Sequence, residues 1–311
     1  MSEDKDMQMP LNEHVGRAIK KHRQKKRLTR KQLTRADDPS RRICSEKTLE
    51  RIERGEAAIS AVYLDGFLEV LGVGYTEFYN EVEGPEMTLF HNGFSEVWDL
   101  LFDKKHEEAK TKMENLISVT TVDLGKPTIK QAIMLYNCRV SAERGDACMD
   151  ELYIALYLTS PFLADGKGEI ALPLVASNIF TLNEYRIMVV IAYFLERRGD
   201  MANSAEIYKT LICSLEYKTL VNETRNKLLP TVCYNLADVL TTQGKYGEAA
   251  SISMAGLRHG NAVGNHKMDG ALYYSLAKAQ QLVGETVNAE RNFNLSYSSF
   301  KAQGRKKWRR W

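Results

Sequence analysis

Proline is scarce in this 311-residue chain: there are seven, at positions 10, 39, 85, 127, 161, 173 and 230. Each falls where the apolar spacing around it would begin or break a helix. Sustained alternation of branched apolar and polar residues is absent too, which argues against a strand-built fold. The five cysteines (Cys44, Cys138, Cys148, Cys213, Cys233) are odd in number and scattered, which, without an export signal, favours reduced thiols. They and the six histidines, at 14, 22, 91, 106, 259 and 266, show no zinc-ligand spacing. No apolar run reaches the roughly eighteen residues of a membrane span. The first thirty residues are polar and basic, unlike a secretory signal. A cytoplasmic chain is therefore expected. There is no phosphate loop, no His-Glu-x-x-His and no Gly-x-Ser-x-Gly. The expectation is no enzyme, no cofactor and no metal.

What remains is an ordinary globular composition, 44% hydrophobic and 27% charged, in a chain long enough for two or three domains. Apolar residues recur three and four apart, as in Val15 and Ile19 or Leu236, Val239 and Leu240, so the fold class expected is all-α.

Charge is unevenly spread. Between His14 and Arg54 there are fifteen Lys or Arg against five Asp or Glu, a net of +10. The whole chain carries +3, so the remainder carries −7. A basic block with its own apolar positions (Val15, Ile19, Leu28, Leu33, Ile43, Leu49, Ile52) reads as a folded module for a polyanion. Within it, Asn12 can cap a first helix to about Lys26, and Thr29 a short second one through Arg35. Ser45 caps a third, Glu46 to Arg54, which Gly55 ends. Ser60 and Thr76 would cap a fourth helix to Leu71 and a fifth to Val82. Cys44 and Leu49 have the spacing of a hydrophobic staple across the third N-terminus.

The run from Val15 to Leu33, followed by Cys-Ser-Glu-Lys-Thr-Leu-Glu-Arg-Ile-Glu-Arg-Gly-Glu (44–56), resembles the Cro/repressor-type helix-turn-helix of the Xre family. The continuation Ala-Ala-Ile-Ser (57–60) resembles the Rgg-like regulators of Gram-positive bacteria. The resemblance implies that the third helix enters a DNA major groove. By position Ser45, Glu46, Lys47, Thr48 and Arg51 then face bases, and Arg30 reaches phosphate or a guanine edge. Lys20, Lys21, Lys26 and Lys31 suit phosphates. Arg23 and Glu53 match a pair that is structural in that family. Arg27 departs from it, standing where glycine commonly ends the first helix. So does the stretch Ala36 to Ile43, about five residues longer than the usual turn. With Pro39, Arg41 and Arg42, it either adds a backbone contact or marks a misplaced second helix.

Beyond Gly84-Pro85 a phrase recurs: a helix with a small residue, a glycine turn, and a second helix opening near Ala. Turn positions 104, 145, 199, 244 and 284 are 41, 54, 45 and 40 residues apart. Lys104 takes the glycine's place in the first. The seventh residue before each turn glycine is small: Cys138, Ala192, Ala237 and Ala277. The longest interval holds a loop, Pro161 to Pro173. These copies resemble tetratricopeptide repeats, although that period is ~34 residues. They imply a right-handed helical solenoid with the first helix of each pair lining a concave groove. In that register Tyr136, Arg139, Arg186, Tyr193, Tyr234, Asn235, Asp238, Tyr274 and Lys278 face the groove, and Asn137 sits one step off. Asn183 is read as a helix cap.

The domains expected are a helix-turn-helix module at 11–83, a linker at 84–90, about five helix pairs at 91–303 and a basic tail at 304–311. That order resembles the RRNPP peptide-pheromone receptors, relatives of Rgg, PlcR and PrgX. The resemblance implies a cytoplasmic homodimeric transcription regulator that binds an inverted-repeat operator in double-stranded DNA. A short signalling peptide in the groove would control it, with no membrane partner. Two other readings stay open: a repeat adaptor that captures a response regulator or other cytosolic protein, and a ligand-independent mobile-element repressor. The basic tail, with Trp308 and Trp311, reads as a solvated terminus or a cap on the last repeat ahead of a contact with a membrane interface or nucleic acid.

Overall fold

Apolar residues three and four apart bury best on helices, and fifteen α-helices with one 3-10 turn account for the regular structure among the described residues. The computed structural model describes residues 11–35, 42–57, 59, 61–74, 78, 81–82, 84–143, 148–164, 169–178, 180–217 and 222–303. The chain divides between Leu124 and Gly125 into two compact units.

The first unit opens with α1 (Leu11–Lys25), α2 (Arg30–Leu33), α3 (Glu46–Glu53) and α4 (Ala61–Leu71). Val15, Ile19, Leu33, Leu49, Ile52, Phe67, Leu68, Leu71 and Phe78 form their shared core. α1 crosses α3 closely because position 16 is glycine: a Cβ there would lie 2.0 Å from the Ile52 carbonyl oxygen. Cys44 and Leu49 both join this core, as a staple requires. α1 begins at Leu11, so Asn12 lies inside the helix and is not its cap. At its other end Arg27 adopts φ 56°, with Leu28 N–H reaching back to the Arg23 carbonyl at 3.0 Å. This is a Schellman turn built without glycine. α2 stops at Leu33, one turn long. Ser60, Thr76, Pro39 and Arg41 lie outside the described residues.

The linker expected at 84–90 is not extended. Gly84 is the N-cap and Pro85 the first residue of α5 (Pro85–Phe102), because proline's fixed φ and missing N–H suit a first helical turn. α5 pairs with α6 (His106–Val119) through the Lys104 turn, where φ is 61°.

The second unit holds α7 (Pro127–Glu143), α8 (Met149–Tyr157), the 3-10 turn Pro161–Leu163, α9 (Leu172–Ser177), α10 (Leu182–Arg197) and α11 (Met201–Tyr217). It continues with α12 (Asn222–Thr242), α13 (Tyr246–Val263), α14 (Asp269–Leu282) and α15 (Thr286–Ala302). Within it α7 pairs with α8, α10 with α11, α12 with α13 and α14 with α15, whereas α5–α6 is a pair of the first unit. Cys138, Ala192, Ala237 and Ala277 are all buried, and Gly199, Gly244 and Gly284 turn at φ 87°, 77° and 84°. Gly145, the loop 165–168 and the tail 304–311 lie outside the described residues. Part of the long interval is not loop, since it contains α9.

Two further sequence expectations fail in the second unit for identifiable reasons. Pro230 does not break a helix but sits inside α12. The Asn226 carbonyl, which would have bonded the missing N–H, accepts the Asn265 side-chain amide at 2.6 Å. Asn183 does not cap α10. Thr181 does, in a capping box with Glu184, while Asn183 is buried and accepts from Arg186 Nη1 at 3.2 Å.

Candidate functional site

α3 has two faces with different fates. Leu49, Ile52 and Glu53 are buried, whereas Glu46, Lys47 and Arg51 are exposed. The helix is held at its start by Ser45, whose hydroxyl accepts the Thr48 N–H at 3.0 Å and shares a 2.7 Å bond with the Thr48 hydroxyl. Ser45 and Thr48 therefore support the helix terminus, and the freely presented side chains are Glu46, Lys47 and Arg51.

Behind α3 lies an ion-pair network. Arg23 Nε and Nη2 donate to the two carboxylate oxygens of Glu53 at 2.6 and 3.0 Å, and Arg23 Nη1 donates to the Leu28 carbonyl at 2.9 Å. This is the structural pair expected. A buried carboxylate needs such a fork to offset its desolvation. Arg30 Nε joins it, donating to Glu53 at 2.9 Å, and Arg30 Nη1 lies 3.5 Å from Glu50. Arg30 is thus tied inward in this structure and does not extend freely toward a duplex. Glu50 also accepts from Arg54 at 2.6 Å. Sequence reading missed Glu50, although its i,i+4 spacing to Arg54 was the available signal.

Lys20, Lys21 and Lys31 are exposed. Lys21 pairs with Glu81, whose second oxygen lies 2.6 Å from His22 Nε2. Burial raises the Glu81 pKa, but the hydrogen bond from Lys21 and the charge of His22 outweigh it and leave the carboxyl below its ordinary value.

The groove candidates all fall on first helices of their pairs. Tyr136, Asn137 and Arg139 are on α7, Arg186 and Tyr193 on α10, Tyr234, Asn235 and Asp238 on α12, and Tyr274 and Lys278 on α14. Arg139, Tyr193, Asp238 and Lys278 each directly follow a small packing residue, so they occupy one repeat position. Asp238 and Lys278 meet across adjacent first helices at 3.9 Å. Tyr274 is 46% exposed and packs edge-on against Phe293, and Asn137 is exposed. Tyr136 and Tyr193 are half-buried, while Arg139, Arg186, Tyr234 and Asn235 are buried. The accessible part of this face is narrower than the full set. No cluster of three His, Cys, Asp or Glu among the described residues could hold a metal ion.

No protein-family model matches the chain, and no curated protein matches it significantly. Solved structures do. Bacillus thuringiensis PlcR in complex with the peptide PapR7 and DNA is similar at 18% identity and TM-score 0.57, covering 94% of this chain and 96% of that one. The apo form of the same regulator gives TM-score 0.54 at 18% identity, over 94% and 96%. The competence regulator ComR from Streptococcus vestibularis, in complex with its signalling peptide XIP, gives TM-score 0.50 at 14% identity, over 95% and 94%. The likeness runs the length of both chains in each case. The fold is that of a helix-turn-helix module followed by tetratricopeptide-like helix pairs.

Proposed function

We propose that this chain is a transcription regulator of the RRNPP type. It binds double-stranded DNA through α3, and a short linear peptide held by the first helices of its repeats controls it. The observation that carries the reading is the α3 face. Glu46, Lys47 and Arg51 are exposed on a helix whose opposite face is locked into a core, within a fold shared end to end with a regulator solved on DNA with its peptide. A net charge of +10 between His14 and Arg54 gives that module the sign a phosphate backbone requires.

The module for DNA is residues 11–83 and the repeats extend to 303, with α5–α6 as the first pair. Two copies in a homodimer would set their α3 helices about one DNA turn (~34 Å) apart on an inverted repeat. Control is then a shift between two dimer arrangements, and a tenfold change needs a peptide that favours one of them by ~1.4 kcal/mol. Among the described residues no helix is long and apolar enough to cross a membrane, which accords with action in the cytoplasm.

The test is selection from a random-sequence duplex library with the purified full-length chain. Enrichment of an inverted repeat supports the reading, and no enrichment in dilute buffer sinks it. Lys47→Ala should then weaken the selected site by ~1–3 kcal/mol while leaving the fold intact.

A further inference from the structure

The connection between α2 and α3 is pinned at its base. Arg35 and Arg42 form an isolated antiparallel bridge, which sets their α-carbons about 5 Å apart. The Ile43 N–H continues the pairing to the Thr34 carbonyl at 2.9 Å. Arg42 Nε donates to the Cys44 carbonyl at 3.0 Å, so its guanidinium is anchored one residue before the Ser45 cap, and its Nη groups bond nothing else among the described residues. Both arginines are exposed. Over the described residues from Lys31 to Lys47, Lys31, Arg35, Arg42 and Lys47 stand against Glu46 alone. The six residues between the bridge partners lie outside the described residues and are not part of the site.

We infer that the Arg35–Arg42 bridge is a phosphate clamp that grips the DNA backbone beside the groove α3 enters. The inference rests on the DNA-binding reading above and adds a contact to it. A fork already anchored by its Nε has lost part of its rotamer freedom before binding, so less is lost when its Nη groups bond a phosphate oxygen. Two guanidiniums on paired backbone a few ångströms apart suit one phosphate or two successive ones. They read no base, so they set the depth and angle of α3 without adding sequence preference.

The test is fluorescence anisotropy of the full-length chain on two mixed-sequence duplexes of about 40 base pairs, from roughly 50 to 200 mM salt. Contacts to phosphate do not require the operator, so such duplexes are adequate probes. For the double variant Arg35→Gln/Arg42→Gln, affinity should fall roughly tenfold or more, equally on both duplexes. The slope of log affinity against log salt should shrink by roughly one for each phosphate the variant no longer neutralises. Arg35→Gln alone, at an exposed position, should show about half the change in slope, and a thermal melt compares the fold of each variant with wild type. Unchanged affinity and slope in both variants would overturn the clamp. So would a loss confined to one duplex with the slope intact, since that is base readout. If the wild-type chain binds neither duplex at the lowest salt, the DNA-binding reading itself fails, an outcome distinct from variants that bind as wild type does.

Discussion

Gly16 leaves no space for even a methyl group, because the Ile52 carbonyl oxygen would stand 2.0 Å from its Cβ. Gly16→Ala must push α1 off α3, at a cost of ~2 kcal/mol or more. A drop in thermal stability is expected, and an unchanged melting curve would contradict the crossing. Arg27 and Lys104 are the opposite case. They hold left-handed backbone at φ 56° and 61°, which costs a residue with a Cβ about 1 kcal/mol that glycine avoids. Arg27→Gly and Lys104→Gly should each raise the urea midpoint, and a fall would mean the side chains contribute more than the turns cost. Both positions were legible in the sequence, Arg27 from the helix-turn-helix pattern and Lys104 from the repeat phase. Gly16 was not, because a close approach between helices thirty-six residues apart (16 to 52) leaves no local mark.

Helices were predicted best where their ends are chemically marked. Thr29 and Ser45 cap α2 and α3 as read, since a hydroxyl that accepts a backbone N–H is a local device. Asn183 misled because Thr181 stands two residues earlier with Glu184 in the reciprocal position, and that Glu does more than close a box. Its Oε1 accepts the Thr159 and Ser160 hydroxyls at 2.6 and 2.5 Å, and its Oε2 accepts the Thr181 N–H at 2.6 Å. A buried carboxylate thus ties the end of α8 to the start of α10. Pro230 misled for a related reason: the partner that makes it tolerable, Asn265, is 39 residues away from the carbonyl it serves. Asn265→Ala should strand the Asn226 carbonyl and cost ~1–3 kcal/mol. Asn265→Ala together with Pro230→Ala should cost less than the two changes summed, because an N–H at 230 restores a donor for that carbonyl. Strict additivity in urea titrations would show that the amide does not serve that role.

At the scale of the whole molecule, charge marked out a basic front and the recurring turns a repeat-built remainder, and titratable groups in both units constrain how the chain responds to pH. Burial, with a smaller push from the Arg225 charge, lowers the His259 pKa below its ordinary 6.5. The folded state therefore favours the neutral ring, and that stabilisation is complete above about 6.5 and drains away as pH falls through the folded value. The lowered Glu81 carboxyl adds a second loss further down, below its ordinary 4.5. On the alkaline side burial raises the thiols. Cys44 and Cys138 move above their ordinary 9.0, and Cys233 is pushed up to about 12. An unfolded chain ionises these thiols first, so stability falls as pH climbs past about 9. Both units share this outline, Glu81 and Cys44 belonging to the first and His259, Cys138 and Cys233 to the second. The chain should thus show a stability plateau between about pH 6.5 and 9, with His259→Gln flattening the shoulder just below it. Urea midpoints across that range decide the matter. A midpoint that rises on acidification from about pH 7 to 5 would mean that His259 is not held neutral by burial. The ring would then be gaining a partner in the fold when it should be losing water.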